Sequence, residues 1–436
     1  MKSWMFFTVG VVLCWLLAGC EGEKPLESTR TTIDVWFHTG QPAEKAVIED
    51  QVERFNRRQD RIYIKLTLIP EGDYNTQVQA AATDNKMPDL LDLDGPYLYN
   101  YAWKGHLLPL DNLVSPRIMA ELLPSILAQG TYRGRLYSIG TFDSGLGLFG
   151  NGKKLRAVGA RIPSSPDEAW SIAEFNKMLS ELSRVDEDGM VLDLRMDYRG
   201  EWYTYAFSPA VQSGGGDLIN RNDYQSSDGI LNGPEAKAVL GHFQSWFKKK
   251  YIDANTDAAS FTTNRVALSW CGHWEYPRYK KALGDDLLVL PLPDFGEGAK
   301  TGMGSWSWAI TSKCRNPELA MEFLEFLLEP AEVIAMVNAN GAVPATRTAI
   351  SLSPLYKPGA PLNLFARQLE ENAVPRPRTP AYPIITSVFQ QAFQDIRYGA
   401  DITETLDRAV KIIDQDIRDN HGYPDIGRAA KDRQGQ

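Results

Sequence analysis

Thr32-Ile33-Asp34-Val35-Trp36-Phe37-His38 alternates as a strand requires, with Ile33, Val35 and Phe37 on one face. Residues 42–57 follow as a helix whose acids come early and whose bases come late, the order the helix dipole favours. Residues 61–70 alternate again through Ile62, Ile64, Leu66 and Leu68, and residues 74–82 suit a second helix. Pro88-Asp89-Leu90-Leu91-Asp92-Leu93-Asp94 then reads as a short buried strand running out to polar residues. A β-α-β-α-β order needs crossover helices between parallel strands, so this stretch predicts an α/β fold with a parallel sheet. Ligand-contacting loops in such a sheet gather at the carboxyl ends of its strands, where His38, Asp92 and Asp94 fall.

Upstream, Lys2 precedes an apolar stretch from Trp4 to Ala18, about the length of a signal-peptide core and short for a membrane span. Leu17-Ala18-Gly19-Cys20 closes it and resembles the lipobox of bacterial lipoproteins, whose cysteine thiol receives the lipid. Residues 1–19 are therefore expected to be a removed signal peptide, Cys20 the lipidated residue, and 20–30 a tether. With Cys14 lost and Cys20 consumed, Cys271 and Cys314 remain, either as a pair or as two buried free thiols.

The 436 residues, 43% hydrophobic and 23% charged, describe a folded globular chain with room for two or three domains. A net charge of −9 supplies no field that seeks polyanions, and the longest basic run, Lys248-Lys249-Lys250, is too short to bind nucleic acid.

Downstream, residues 151–299 are punctuated by turns such as Ser213-Gly214-Gly215-Gly216-Asp217. A helix is expected from about Glu235 through Lys248, a strand over 265–270, and a helix beginning at Asn316-Pro317-Glu318. The last helix, 402–418, should bury Leu406, Ala409, Val410, Ile413 and Ile417, and the proline-rich stretch 354–383 reads as loops.

Catalytic motifs are poorly supported. Gly145-Leu146-Gly147-Leu148-Phe149-Gly150 has the glycine spacing of a dinucleotide loop, but Asn151-Gly152 stands where its helix should begin. Asp92-Leu93-Asp94-Gly95 lacks both ends of a calcium loop, the five histidines are scattered, and no nucleophile elbow or phosphate loop occurs. A two-carboxylate glycosidase remains compatible with the composition. Tryptophans in turn-like or strand-end settings, Trp36, Trp202, Trp270, Trp274, Trp306 and Trp308, contrast with Trp103, Trp170 and Trp246 on expected helices. An aromatic face stacks on a pyranose while carboxylates and amides bond its hydroxyls, so these residue types suit carbohydrate recognition. Trp308, alternating with Ile310, is expected in the core.

Glu53-x-Phe55-Asn56, Met87-Pro88-Asp89-Leu90-Leu91, Gly105-x-Leu107-x-Pro109-Leu110-Asp111 and Gly134-Arg135-Leu136-Tyr137-Ser138-Ile139 open an ordered set of segments. Arg265-Val266-Ala267-Leu268-Ser269-Trp270-Cys271-Gly272-His273-Trp274, Leu290-Pro291-Leu292-Pro293, Gly304-Ser305-Trp306-Ser307-Trp308, Asn316-Pro317-Glu318-Leu319-Ala320 and Gly341-Ala342-Val343-Pro344-Ala345 follow. The ordered set resembles the extracellular solute-binding proteins of bacterial ABC transporters, in the sugar-binding group that includes maltose-binding protein. The likeness spans about residues 31–420; Phe149-Gly150-Asn151 and Gly140 depart from the family's pattern at one loop.

The resemblance implies a two-lobe periplasmic-binding-protein fold, type II-like, with the ligand held in a cleft between hinged lobes. It implies one lobe at 31–140 plus 306–345 and the other at 141–305 plus 346–436. By the same likeness, Trp36, His38, Gln41, Glu44, Asp92 and Asp94 reach the cleft from the first lobe. Asp143, Trp202, Asp217 and Trp274 reach it from the second, with Gly304 and Trp306 near a crossing and Arg347 beyond the Pro344 turn. The expected protein is a non-catalytic, lipid-anchored monomer outside the cytoplasm, without cofactor or metal, whose partners are a carbohydrate and the permease subunits. A non-sugar ligand such as a polyol, glycerol phosphate or peptide is the alternative within the family. Cys271 and Cys314 fall in different implied lobes, and a bond between them would oppose hinge opening, so they are expected unbonded.

Overall fold

The computed structural model describes residues 30–253, 255 and 257–424; the expected signal peptide and Cys20 lie outside them. Two four-stranded sheets organise the chain. Their strands are β1 (Thr31–Thr39), β2 (Ile62–Pro70), β3 (Leu90–Asp94), β4 (Leu146–Asn151), β5 (Leu192–Asp193), β6 (Leu268–Gly272), β7 (Leu287–Leu290) and β8 (Trp306–Ile310). The helices that matter below are α1 (Pro42–Arg58), α2 (Glu71–Thr83), α3 (Trp202–Ser213), α4 (Pro330–Asn340), α5 (Tyr382–Arg397) and α6 (Ile402–Asp419).

The first sheet has the order β8-β3-β1-β2. Thr31 pairs with Ile62 and Val35 with Leu90, both parallel, as the opening β-α-β-α-β stretch requires. The fourth strand is antiparallel: Trp306 pairs with Asp94 and Ile310 with Leu90. The sheet is thus mixed, because the chain comes back from the second sheet to add an edge strand that local periodicity cannot foretell. Ile33, Val35 and Phe37 are buried against α1 and the helices at 317–340, in a core that includes Phe323, Val333 and Cys314. The opposite face of β1 and β3 packs a separate cluster of Tyr74, Val78, Leu91, Tyr97 and Leu98, with Trp36 and Trp306 at its margin.

The second sheet, β7-β4-β6-β5, is largely antiparallel and carries its own core of Phe149, Trp170, Phe207, Phe243, Trp246, Trp270 and Cys271. Helices α5 and α6 close it, and Leu406, Ala409, Val410, Ile413 and Ile417 are all buried. The chain passes between the two bodies at residues 142–146, 301–306 and 343–356, where Val343 packs in the second core, Ala345 and Ala349 in the first and Tyr356 in the second again. Val343 pairs with Asp143 across two of these crossings.

Several local expectations change. A short helix does begin at Gly152, capped by the Asn151 side chain on the amides of Lys153 and Lys154. The preceding glycines serve strand packing instead: a Cβ at Gly147 would meet the Leu290 carbonyl at 2.9 Å, and one at Gly150 the Leu155 side chain at 2.8 Å. Trp202, expected in a loop, starts α3 and is buried with its indole donating to the Leu194 carbonyl at 3.1 Å. Trp170 precedes a helix rather than sitting on it; its indole donates to the Arg161 carbonyl at 2.9 Å. Asn316 stands before the helix Pro317–Leu327 without a side-chain capping bond. The C-terminal segment is shared: the Pro380 carbonyl accepts from Asn100 at 2.7 Å, and Tyr382 joins the cluster of Tyr97 and Leu98 in the first body. Cys271 and Cys314 are free, buried thiols in different cores.

Candidate ligand-binding cleft

Between the two bodies lies a cavity of about 900 Å³. Its first wall comes from Tyr99, Tyr132 and Arg133, its second from the loop after α3, with Gln212, Asp217, Arg221 and Tyr224. The C-terminal segment adds Arg378, Thr379 and Tyr423, and Lys300 enters from the crossing. The glycines of 214–216 let the chain turn at the end of α3, where Gly215 has φ +84°. That turn delivers Asp217, whose carboxylate accepts two bonds from Arg221, at 2.8 and 3.0 Å, and one from the Leu218 amide.

Beside this cavity the bodies are joined by a buried ionic seam. Arg376, between the cavity-lining Pro375 and Arg378, donates to Asp94 at the end of β3 (3.0 Å) and to Glu201 at the start of α3 (2.6 Å). Its guanidinium lies 4.9 Å from the centre of the Tyr205 ring. Tyr382 and Thr386 of α5 also donate to Glu201. Burial lifts the Glu201 carboxyl to about 7; Asp94 adds to the lift, and Arg376 with the two hydroxyls opposes it. Gly304, at φ +111°, leaves room for Arg376: a Cβ there would sit 3.1 Å from its terminal nitrogen. Asp143 is also buried and accepts from Gln129 (3.0 Å) and from the amides of Ser144 and Gly304, while burial raises its carboxyl above the ordinary range.

At the carboxyl end of β1, the His38 ring lies parallel to Trp306 with centroids 3.7 Å apart. Its Nδ1 meets the Asp92 carboxylate at 2.5 Å, and its Nε2 lies 3.7 Å from Glu44. Burial alone would lower the imidazole, but Asp92, Glu44 and Glu71 together carry it to about 9, so it is charged at neutral pH. Tyr74 of α2 fixes the same strand end by donating to the Asp92 carbonyl at 2.6 Å.

Across the seam, the Trp274 indole donates to the Tyr198 hydroxyl at 3.1 Å, and its ring packs near Trp202, Tyr205 and His273. His273 bridges the bodies, Nδ1 to the Asn340 carbonyl and Nε2 to Ser144, both at 3.0 Å. Burial pushes it down to about 4, leaving it neutral. Asn340 in turn donates to Glu44 at 3.0 Å.

The residues expected from sequence thus divide. His38, Glu44, Asp92 and Trp306 form one cluster; Asp94, Asp143 and Gly304 belong to the Arg376 seam; Trp202 and Trp274 form an aromatic group on the second body. Asp217 lies in the cavity wall. Trp36 is half-buried on β1, Gln41 precedes α1 without a side-chain cap, and Arg347 spends its guanidinium on the carbonyls of Ala120 and Leu122. Missed were Arg376, Glu201, Tyr205, Tyr224, Lys300 and Arg378. Only Val-Pro-Arg-Pro-Arg at 374–378 carried a signal, since prolines on both sides of Arg376 stiffen the backbone that presents it.

A family model described as bacterial extracellular solute-binding protein matches residues 50–361. The maltodextrin-binding protein MdxE of Bacillus subtilis (strain 168) is 22% identical over 391 residues, covering 86% of this chain and 88% of its own length. A multiple sugar-binding protein of Streptococcus mutans is 20% identical over 358 residues, covering 76% and 80%. Among solved structures, an ABC transporter solute-binding protein from Thermotoga lettingae, bound with alpha-D-tagatose, superposes with TM-score 0.75 at 21% identity. That match covers 88% of this chain and 99% of the other, and it shows a shared two-lobe fold.

Proposed function

The chain belongs to the bacterial extracellular solute-binding proteins, and on that premise we propose that it captures a carbohydrate between its lobes and delivers it to the permease of an ABC importer. The observation that carries this is the 900 Å³ cavity walled from both bodies, where four tyrosines, Tyr99, Tyr132, Tyr224 and Tyr423, stand among amide, hydroxyl and charged groups. Rings with apolar faces and polar rims match a sugar, whose C–H face stacks while its hydroxyls bond the surrounding donors and acceptors. Relatives along most of the chain bear the names of maltodextrin- and sugar-binding proteins.

In this proposal residues 31–140 with 306–345 form one lobe, and 141–305 with 346–436 the other. Opening at the crossings parts the Arg376 seam and uncovers Asp94, Asp143, Trp274 and Trp306 beside the cavity. Closure on the ligand is the state the permease reads. The protein works as a monomer held outside the cytoplasm by lipid on Cys20; among the described residues no helix is long and apolar enough to cross a membrane.

A thermal-shift screen against mono- and oligosaccharides tests capture, because a ligand that binds only the folded chain raises its stability. A saccharide that raises the melting temperature and is recovered intact supports it. Cleavage to new reducing ends makes the protein an enzyme, and a screen in which only peptides or polyols bind removes the sugar.

A further inference from the structure

We propose that the cavity is built for an acidic saccharide, one whose ring carries an anionic group, rather than for a neutral one. It rests on carbohydrate capture at this same cavity and adds the ligand's charge.

Besides Arg221, the cations Lys300 and Arg378 line the walls, together with the carboxylates of Asp217 and Asp223. Asp217 and Arg221 neutralise one another through two short bonds. Among the described residues no carboxylate lies within ion-pair distance of Lys300 or Arg378. Among the described residues the Arg378 guanidinium makes one long contact, 3.4 Å, to the Ala128 carbonyl. Asp223 is exposed and accepts from the Gln225 amide at 3.0 Å. The chain as a whole carries −9, so its long-range field repels anions and a ligand of that sign must be held by charges inside the cavity.

Chain placement reinforces the sign. Arg376, one residue beyond Pro375 of the wall, already spends its charge on Asp94 and Glu201. Arg378, two residues on, has no such partner among the described residues and lines the cavity instead. One short segment therefore carries a cation committed to the protein and another left for what enters. Guanidinium and ammonium groups bond a carboxylate, sulfate or phosphate oxygen more strongly than a neutral hydroxyl, through charge-assisted bonds. The tyrosines of the same walls leave the faces of the sugar rings to stacking.

The test is calorimetry and thermal shift on the intact mature chain with matched pairs of saccharides. The pairs are galacturonate and galactose oligomers, glucuronate and glucose oligomers, and sulfated and unsulfated disaccharides; citrate and glycerol 3-phosphate serve as anions without a sugar ring. The expected result is an acidic member bound at least tenfold more tightly than its neutral partner, with affinity falling as salt rises from 50 to 500 mM, about the range over which screening becomes short-ranged. Which pair responds tells carboxylate from sulfate. Lys300→Gln and Arg378→Gln, at half-buried and exposed positions, should each weaken that binding about tenfold and flatten its salt dependence while leaving the melting temperature of the free protein in place. A neutral saccharide bound as tightly as its acidic partner, or wild-type affinity in both variants, overturns the inference and leaves carbohydrate capture standing. Binding of the ringless anions alone, or of no saccharide at all, overturns both.

Discussion

Arg376 and Asp94, 282 residues apart in sequence, meet at 3.0 Å where the two lobes face one another. The same guanidinium holds Glu201, so one cation keeps two carboxylates of opposite lobes together in a buried site. Removing one partner of a buried ionic group strands the others without water or countercharge. Arg376→Gln should therefore cost about 3–5 kcal/mol of folding stability. Urea denaturation measures it; a loss under 1 kcal/mol would mean that the seam opens freely and Arg376 is solvated there.

His38 gives the stability a pH dependence of definite sign. Its imidazole is carried from 6.5 to about 9 in the folded chain, against the pull of burial, by Asp92, Glu44 and Glu71. A raised folded value means that the fold holds the proton more tightly than the unfolded chain, so the contribution is complete below about 6.5 and is lost as pH rises through 9. Melting curves from pH 6 to 10 should show the wild type losing more stability with rising pH than His38→Gln; parallel curves would remove His38⁺ as the cause.

Trp274 and Trp202 lie against each other, 6.1 Å between centroids, yet should fail differently when truncated. Trp274 is only partly buried, whereas Trp202 is 6% exposed and belongs to the second core. Trp274→Ala should leave a folded protein whose saccharide affinity has dropped at least about tenfold, the loss of one stacking face. Trp202→Ala should instead lose about 3–5 kcal/mol of stability. Calorimetry and denaturation on the two variants separate the effects, and unchanged affinity in Trp274→Ala would assign that ring to packing.

Under the proposal that lipid on Cys20 anchors the chain, Cys20→Ala should convert a membrane-associated protein to an unlipidated form that leaves the detergent phase, since acyl chains would supply the anchoring energy. Phase partitioning that does not change on substitution would place the anchor elsewhere.

The sequence by itself determined the layered architecture of the first lobe, because strand and helix periodicities are local. Ile33, Val35 and Phe37, the helix over 42–57 and the strand ends at His38, Asp92 and Asp94 all follow from spacing that the tertiary structure leaves intact. Trp308 was legible as core for the same reason. What only the tertiary structure decided are the pairings between segments distant in the chain. The antiparallel edge strand beside β3, the joining of Asp94, Glu201 and Arg376, and the convergence of Lys300 and Arg378 on one cavity depend on how the crossings return the chain. A proline-rich stretch that reads locally as loop becomes the wall between lobes because Arg376 finds two carboxylates there. Neighbours then set the charge states of two buried imidazoles: His38 keeps its proton beside three acids while His273, buried without one, gives it up. Residue type is identical at the two positions, and the difference lies wholly in which neighbours the fold brings to each.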